Sequence, residues 1–244
     1  MMGLIFLLII MYWYTQLAVV RVRHVYVSDS RLKESVTLVQ ISDFHNNVLA
    51  LRRPLLKKLK AMAPDAVVFT GDCINRHTTD PGAFEALALA FEGVPRFYVS
   101  GNHEVENRVV DMARLCRKCH IIDLAGKTAS VKGVTLYGES FAGRQFQDIG
   151  GGYAVLLVHN PYQFIKAPRD YDVVLSGHTH GGQVRLPWLG QIIDHGPTLF
   201  PKYSKGWYQV GKSKLYIDSG AGQHLYFRLW NPVQVTVVHL TGEV

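Results

Sequence analysis

Short apolar runs recur along the chain, and several end on a glycine or a polar residue. Val36-Thr37-Leu38-Val39-Gln40-Ile41-Ser42 is rich in β-branched residues and predicts a strand. Ala66 to Thr70, Arg96 to Ser100, Tyr153 to Val158 and Asp172 to Leu175 predict further buried strands. Between the first three, helical spacing takes over. Leu51, Leu55, Leu56, Leu59 and Met62 share one helix face, with Pro54 suited to its first turn. Phe84 to Phe91 and Val105 to Cys116 predict two more helices. This β-α-β-α-β-α order predicts a parallel sheet covered by helices. The second half carries hairpin signals instead. Lys132-Gly133 separates Thr128–Val131 from Val134–Tyr137, and Gly211-Lys212-Ser213-Lys214 separates Tyr208–Val210 from Leu215–Ile217. Val233 to Leu240 predicts a last strand, and the Gly-rich stretch from Ala142 to Gly152 a loop. Two packed sheets with helices outside are the expected result.

The first twenty residues follow another pattern. Met1 to Val20 contains no charged side chain, and Leu4 to Met11 is almost purely aliphatic. As a helix, twenty residues extend roughly 30 Å, about the hydrocarbon thickness of a bilayer. The run is therefore expected to be a transmembrane anchor over residues 1–24, ahead of a domain over 25–244. A cleaved signal peptide would want a basic start and a small-residue cleavage site, and Gln16-Leu17-Ala18 is a poor one. A buried core helix is the third reading. Arg21, Arg23, Arg31 and Lys33 all follow the run and no Lys or Arg precedes it, so the positive-inside rule places the domain in the cytoplasm, on a cell membrane with a single-pass anchor.

Composition narrows the partners. The 244 residues are 48% hydrophobic, enough for one sizeable domain. The net charge of +7 suggests an anionic partner: membrane surface, phosphorylated substrate or nucleic acid. The basic residues are dispersed and no recognition motif appears, so nucleic acid is not expected. Arg52, Arg53, Lys57, Lys58 and Lys60 cluster on one helix, either to rest on an anionic leaflet or as a solvated face. Three cysteines argue against a disulfide framework; Cys116 and Cys119 have CxxC spacing without a second pair and read as ordinary thiols.

Candidate chemistry lies at the strand ends: Asp43-Phe44-His45, Gly71-Asp72, Gly101-Asn102-His103-Glu104, His159-Asn160 and Gly177-His178-Thr179-His180. Singly, such residues are turn or cap residues. Together they bring carboxylate, amide and imidazole groups to the C-terminal ends of strands, where open α/β sheets bind ligands. A donor set of Asp, Asn and His without thiolate suits Mn, Fe or Zn. There are enough donors for two divalent ions, with Asp72 as the natural bridge and His103 left for proton transfer, supported by Glu104.

In this order, the motifs Asp-x-His, Gly-Asp, Gly-Asn-His-Glu, His and Gly-His-x-His resemble those of the calcineurin-like metallophosphoesterase family, over a stretch from Val36 to Leu240. The resemblance implies a four-layer α/β/β/α sandwich. It also implies a binuclear site, manganese favoured, that hydrolyses a phosphodiester or pyrophosphate bond by attack of a metal-activated hydroxide. One ion would take Asp43, His45, Asp72 and His180; the other Asp72, Asn102, His159 and His178. His103 would be the catalytic histidine. Gly177 to Pro187, Pro201-Lys202-Tyr203, Gly206 and Gly220-Ala221-Gly222 resemble a bacterial branch with membrane segments or export signals, which includes a UDP-diacylglucosamine pyrophosphatase. Glu104 stands where the family often has Asp. Asn231-Pro232-Val233-Gln234 replaces a common Pro-Pro-Glu, and is expected to touch no metal ligand but to alter the wall of the substrate pocket.

The expected substrate is phosphorylated and lipid-linked or a nucleotide. Arg144, His195 and His224 are candidate substrate-binding residues, and Tyr203, Trp207, Tyr226, Phe227 and Trp230 a candidate acyl-chain or nucleobase wall. The alternatives are a nucleotide phosphodiesterase or a phosphoprotein phosphatase. A non-catalytic scaffold of the same fold should have lost ligands, whereas all seven are present.

Overall fold

The computed structural model describes residues 2–143, 145–193, 199–223 and 227–242. Its helices are α1 (Met2–Ala18), α2 (Arg53–Ala61), α3 (Gly82–Leu89), α4 (Asn102–Glu106), α5 (Met112–Lys118) and α6 (Pro161–Lys166). Its strands are β1 (Arg21–Ser28), β2 (Val36–Ile41), β3 (Ala66–Thr70), β4 (Arg96–Val99), β5 (Ile122–Asp123), β6 (Thr128–Val131), β7 (Val134–Glu139), β8 (Tyr153–Val158), β9 (Val173–Ser176), β10 (Val184–Leu186), β11 (Gly190–Ile193), β12 (Gly206–Val210), β13 (Ser213–Ile217) and β14 (Gln234–Thr241).

Two mixed six-stranded sheets result. The first has the order β1-β14-β2-β3-β4-β5, with β2 to β5 parallel and β14 antiparallel to β2. The second has the order β12-β13-β9-β8-β7-β6, with hairpins at both edges. Strand alternation then assigns two faces. Leu38, Val68 and Val99 meet Leu136, Val155, Leu157 and Val173 in a core between the sheets. Val39, Ile41, Val67 and Phe69 face outward and bury Leu59 of α2, Phe84 and Leu87 of α3 and Leu115 of α5. On the other outer face Ala154, Leu156 and Val158 cover Phe164 of α6 and Tyr171. The central strands are buried on both faces, which is why they read as continuous apolar runs.

Three expectations are corrected. The first is the membrane span, and with it the cell-membrane localisation and the cytoplasmic placement. The helix α1 covers 17 residues, and among the described residues no helix is long and apolar enough to cross a membrane. Its end is set by the domain. Gln16 and Ala18 are buried, and Arg21 and Arg23, counted as flanking charges, lie within β1, which pairs in parallel with β14. The second is the single helix over Val105 to Cys116. Asn107 ends α4, its Oδ1 accepting N–H bonds from Val109 and Val110, and Asp111 caps α5 by accepting from Arg114 N at 2.9 Å. The third is the start of the domain near Val25, since β1 begins at Arg21. The α2 basic side chains Arg53, Lys57, Lys58 and Lys60 are exposed, with Leu59 the buried residue of that helix. All three cysteines are free and buried, and burial pushes the Cys116 thiol up to about 12.

One buried polar network joins the sheets. Asp218, just past β13, accepts from Gly220 N at 2.7 Å, from Gln234 Nε2 at 3.0 Å and from the Thr236 hydroxyl. Burial raises its carboxyl above the ordinary range, against the lowering effect of those donors. A carboxyl raised by folding contributes stability that is full below its unfolded pKa, about 3.9, and is lost as pH rises through the folded value. Asp218→Asn does not titrate. The melting temperature of Asp218→Asn relative to wild type should therefore climb as pH is raised from below that point to neutrality. A pH-independent difference in calorimetry would count against a raised carboxyl.

Candidate metal centre

Each candidate ligand stands one to four residues past a strand, on a turn that the strand forces into a tight reversal. Asp43 and His45 follow β2, Asp72 follows β3, Asn102 follows β4, His159 follows β8, and His178 and His180 follow β9. Five of these seven hold positive φ: Asp43 48°, His45 49°, Asp72 51°, His178 71° and His180 47°. That region is costly for residues bearing a side chain and clusters at functional sites. Two glycines permit the approach. A Cβ at Gly101 would overlap Asp72 Oδ1, and one at Gly177 would overlap the Ser42 and Asp43 side chains.

The seven converge in two groups. His45 Nε2 lies 3.1 Å from His180 Nε2, which is 3.4 Å from Asp43 Oδ1. His159 Nε2 lies 3.1 Å from His178 Nδ1, 3.2 Å from Asn102 Oδ1 and 3.3 Å from Asp72 Oδ2. Asp72 Oδ2 is also 3.9 Å from His45 Nε2 and 3.8 Å from His103 Nε2. Three sets of ligand atoms close enough to share an ion therefore form: Asp43, His45 and His180; His45, Asp72 and His103; Asp72, His159 and His178. Asp72 is common to two of them.

The donor chemistry fits divalent cations. His159 Nδ1 faces the Thr70 carbonyl at 2.9 Å, so Nδ1 carries the proton and donates it. Nε2 then turns its lone pair toward a carboxylate oxygen and an amide oxygen, which are acceptors as well. Acceptors facing one another in a buried site require a positive species between them: a proton on Nε2 or a metal ion. The charges follow the same logic. Burial alone would lower His159, but the carboxylates of Asp72 and Asp43 outweigh it and raise the imidazole to about 10. Burial would raise Asp72, yet the charges of His159, His45 and His103 hold it well below the usual carboxylate range. Asp43 is pushed up to about 6 by burial and by the charge of Asp72, partly offset by His159.

The neighbours of His103 differ from expectation. Its Nδ1 accepts the backbone N–H of Arg76 at 3.1 Å, and an Arg76 guanidinium nitrogen lies 3.5 Å from Nε2. Its own N–H donates to Asp72 Oδ1 at 2.9 Å. Glu104, expected to support the His103 ring, instead spends its carboxylate on backbone: Asp72 N at 2.9 Å, Ile74 N at 3.1 Å and Gly101 N at 2.7 Å. Burial and the Asp72 charge push Glu104 up to about 7, against those three donors. It ties the Asp72 turn to the Asn102 turn.

The stretch Asn231 to Gln234 also departs from expectation. Asn231 Nδ2 donates to the His180 carbonyl at 2.6 Å, so this stretch touches a candidate ligand directly. Arg228, fully buried, lies 3.2 Å from His180 Nδ1. Sequence reasoning passed over Arg76 and Arg228, and placed Asn231 in the pocket wall rather than against a ligand. Arg228 left a trace, a lone cation in the apolar tract Phe227-Arg228-Leu229-Trp230; no spacing marks Arg76. The aromatic wall divides. Tyr203 packs edge-on against Tyr162 and Tyr208, Trp207 against Tyr216, and Phe227 against Trp13 of α1. Arg144, His195, His224 and Tyr226 lie outside the described residues.

An uncharacterized metallophosphoesterase of Campylobacter jejuni is 29% identical, over 91% of this chain and 63% of its own length. The chain thus spans less than two thirds of that relative. Phosphodiesterase YaeI of Escherichia coli is 27% identical, over 72% of this chain and 70% of the relative. A UDP-2,3-diacylglucosamine pyrophosphatase of Chlamydia muridarum is 24% identical, over 84% of each. The family model for calcineurin-like phosphoesterases matches residues 36–182, the stretch that carries every candidate ligand, and the chain belongs to that family.

Proposed function

We propose that the chain is a metal-dependent phosphoric ester hydrolase whose two divalent ions share Asp72, and that it cleaves a phosphodiester or pyrophosphate bond. One observation carries this reading. A single carboxylate oxygen, Asp72 Oδ2, faces His159 at 3.3 Å on one side and His45 at 3.9 Å on the other. That is the arrangement a bridging ligand needs. Asp43, His45, Asp72 and His180 would hold one ion, and Asp72, Asn102, His159 and His178 the other. Oxygen and imidazole donors without thiolate fit Mn, Fe or Zn, and Mn is the first ion to test. When bound, such ions polarise a phosphoryl oxygen and lower the pKa of water. The names of the Escherichia coli and Chlamydia relatives, a phosphodiesterase and a UDP-diacylglucosamine pyrophosphatase, support a substrate whose phosphorus is substituted on both sides, by two esters or by an ester and an anhydride.

The remaining work falls to the chain's own groups. His103 Nδ1 is occupied by the Arg76 N–H, so the neutral ring carries its proton on Nε2, the edge turned toward Asp72. From there it can donate to a leaving oxygen, with the Arg76 guanidinium beside it to offset developing negative charge. Thr70 orients His159 through its carbonyl, and Glu104 holds the backbone of both ligand turns.

Two measurements test this. With Mn²⁺, the wild type should hydrolyse a chromogenic phosphodiester, and Asp72→Asn should be inactive. His103→Ala should lose about 10²–10⁴-fold in kcat on an alkyl ester, and much less on a nitrophenyl ester that leaves without a proton. Full activity of Asp72→Asn, or a wild type inert across Mn, Fe and Zn and across diester, pyrophosphate and phosphopeptide substrates, would refute the reading. Separately, Glu104→Gln places an amide donor against at least one buried backbone N–H. Its urea midpoint should fall by the equivalent of about 1–3 kcal/mol, whether or not metal is present.

A further inference from the structure

The turn that carries His180 is strained in sequence. His180, Gly181 and Gly182 hold φ of 47°, 62° and 74° in succession. Glycine adopts this region freely, but His180 bears a side chain and persists there only where surrounding structure holds it. The hold comes from the segment before β14. Asn231 Nδ2 donates to the His180 carbonyl at 2.6 Å, and its side chain lies so close to the turn that a Cβ on Gly181 would come within 2.6 Å of Asn231 Oδ1. Arg228 spans the same region, donating to Ser219 O at 2.8 Å, Gly222 O at 2.6 Å and Asn231 O at 3.3 Å, beside His180 Nδ1.

That segment is in turn held by the N-terminal helix. Trp230 N donates to the Tyr12 hydroxyl at 2.8 Å, Asn231 N to Gln16 Oε1 at 2.9 Å, and Val233 N to the Gln16 carbonyl at 2.9 Å. Pro232 has no N–H to offer. Every backbone donor from 230 to 233 is therefore taken by α1. Gln16 is 4% exposed in a helix whose apolar side chains are mostly exposed, so its amide is a part of α1 committed to the domain, with Ala18 and the Tyr12 hydroxyl. A buried amide that kept no partner would be costly, which makes this pairing specific.

We propose that α1 is a positioning element of the metal centre, acting through Gln16 and Asn231 on His180 and not on the other ion's ligands. This rests on the reading of His180 as a metal ligand. Gln16 and Asn231 stand behind the ligand and hold its backbone, as outer partners of metal ligands commonly do, with effects of about 10–100-fold in metal affinity.

The test is a Mn²⁺ titration of the metal-stripped full chain, followed by the EPR signal of free Mn²⁺ and by equilibrium dialysis. Wild type should bind two ions and His180→Ala one. Gln16→Leu, which keeps the volume but removes the acceptor, should still bind two, with one Kd weakened about 10–100-fold and the other unchanged. Asn231→Asp keeps the shape but cannot donate to the His180 carbonyl. It should give the same selective loss, and carries the test alone if Gln16→Leu fails to fold by far-UV circular dichroism. Wild-type affinities in both variants, alongside the loss of one ion in His180→Ala, would overturn the inference while leaving the metal reading intact. Equal weakening of both ions would overturn it too, by making α1 a general stabiliser. Two ions retained by His180→Ala would overturn the metal reading and this inference with it.

Discussion

The Asp72 carboxylate is the constraint around which the structure is arranged. It is buried, it stands on a left-handed turn, and imidazoles approach it from several directions. A carboxylate so placed is stable only with positive charge close by. The protein provides for this by convergence: the Asp72 and Asp43 carboxylates raise the demand of His159 for a proton or an ion, and the positive charge so held keeps Asp72 ionised. Glu104 makes that convergence rigid, because it binds the backbone N–H groups on both sides of the gap rather than a side chain.

The candidate ligands come from both sheets. Asp43, His45, Asp72 and Asn102 follow strands of the first, and His159, His178 and His180 follow strands of the second. The centre therefore exists only when the apolar faces between the sheets are packed. A domain whose core places charged groups opposite one another has to offset their repulsion, and ions bound by the folded state alone would do so while adding stability. The layered core and the chemistry are thus linked through the same few strand ends.

The N-terminal helix shows how composition and position can part. Its residues are mostly apolar, and hydropathy registers only that. Its C-terminal end is set elsewhere, by the start of β1 and by the amides of residues 230–233, which take the last polar groups of the helix. Hydropathy has no access to a partner more than two hundred residues away.

How much was legible in the chain depends on the range of the interaction. The strands β2, β3, β4, β8 and β9 could be read because burial on both faces makes an unbroken apolar run, and their terminal Asp, Asn and His residues could be read because each motif is local. The family resemblance drew on those same short motifs. The role of Glu104 could not be read, since it depends on which backbone amides lie within reach of its carboxylate. Nor could the break at Asn107, which a helical period of apolar residues conceals. Arg76, Arg228, Gln16 and the contact of Asn231 with His180 were beyond reach for the same reason: each acts on a residue distant in sequence or through its backbone. Sequence alone determined the central strands and the candidate donor groups at their ends, because those follow from local pattern and side-chain chemistry. Tertiary structure decided which donors share Asp72 and what holds His180 in place, because those are distances between strand ends that only the packed sheets define.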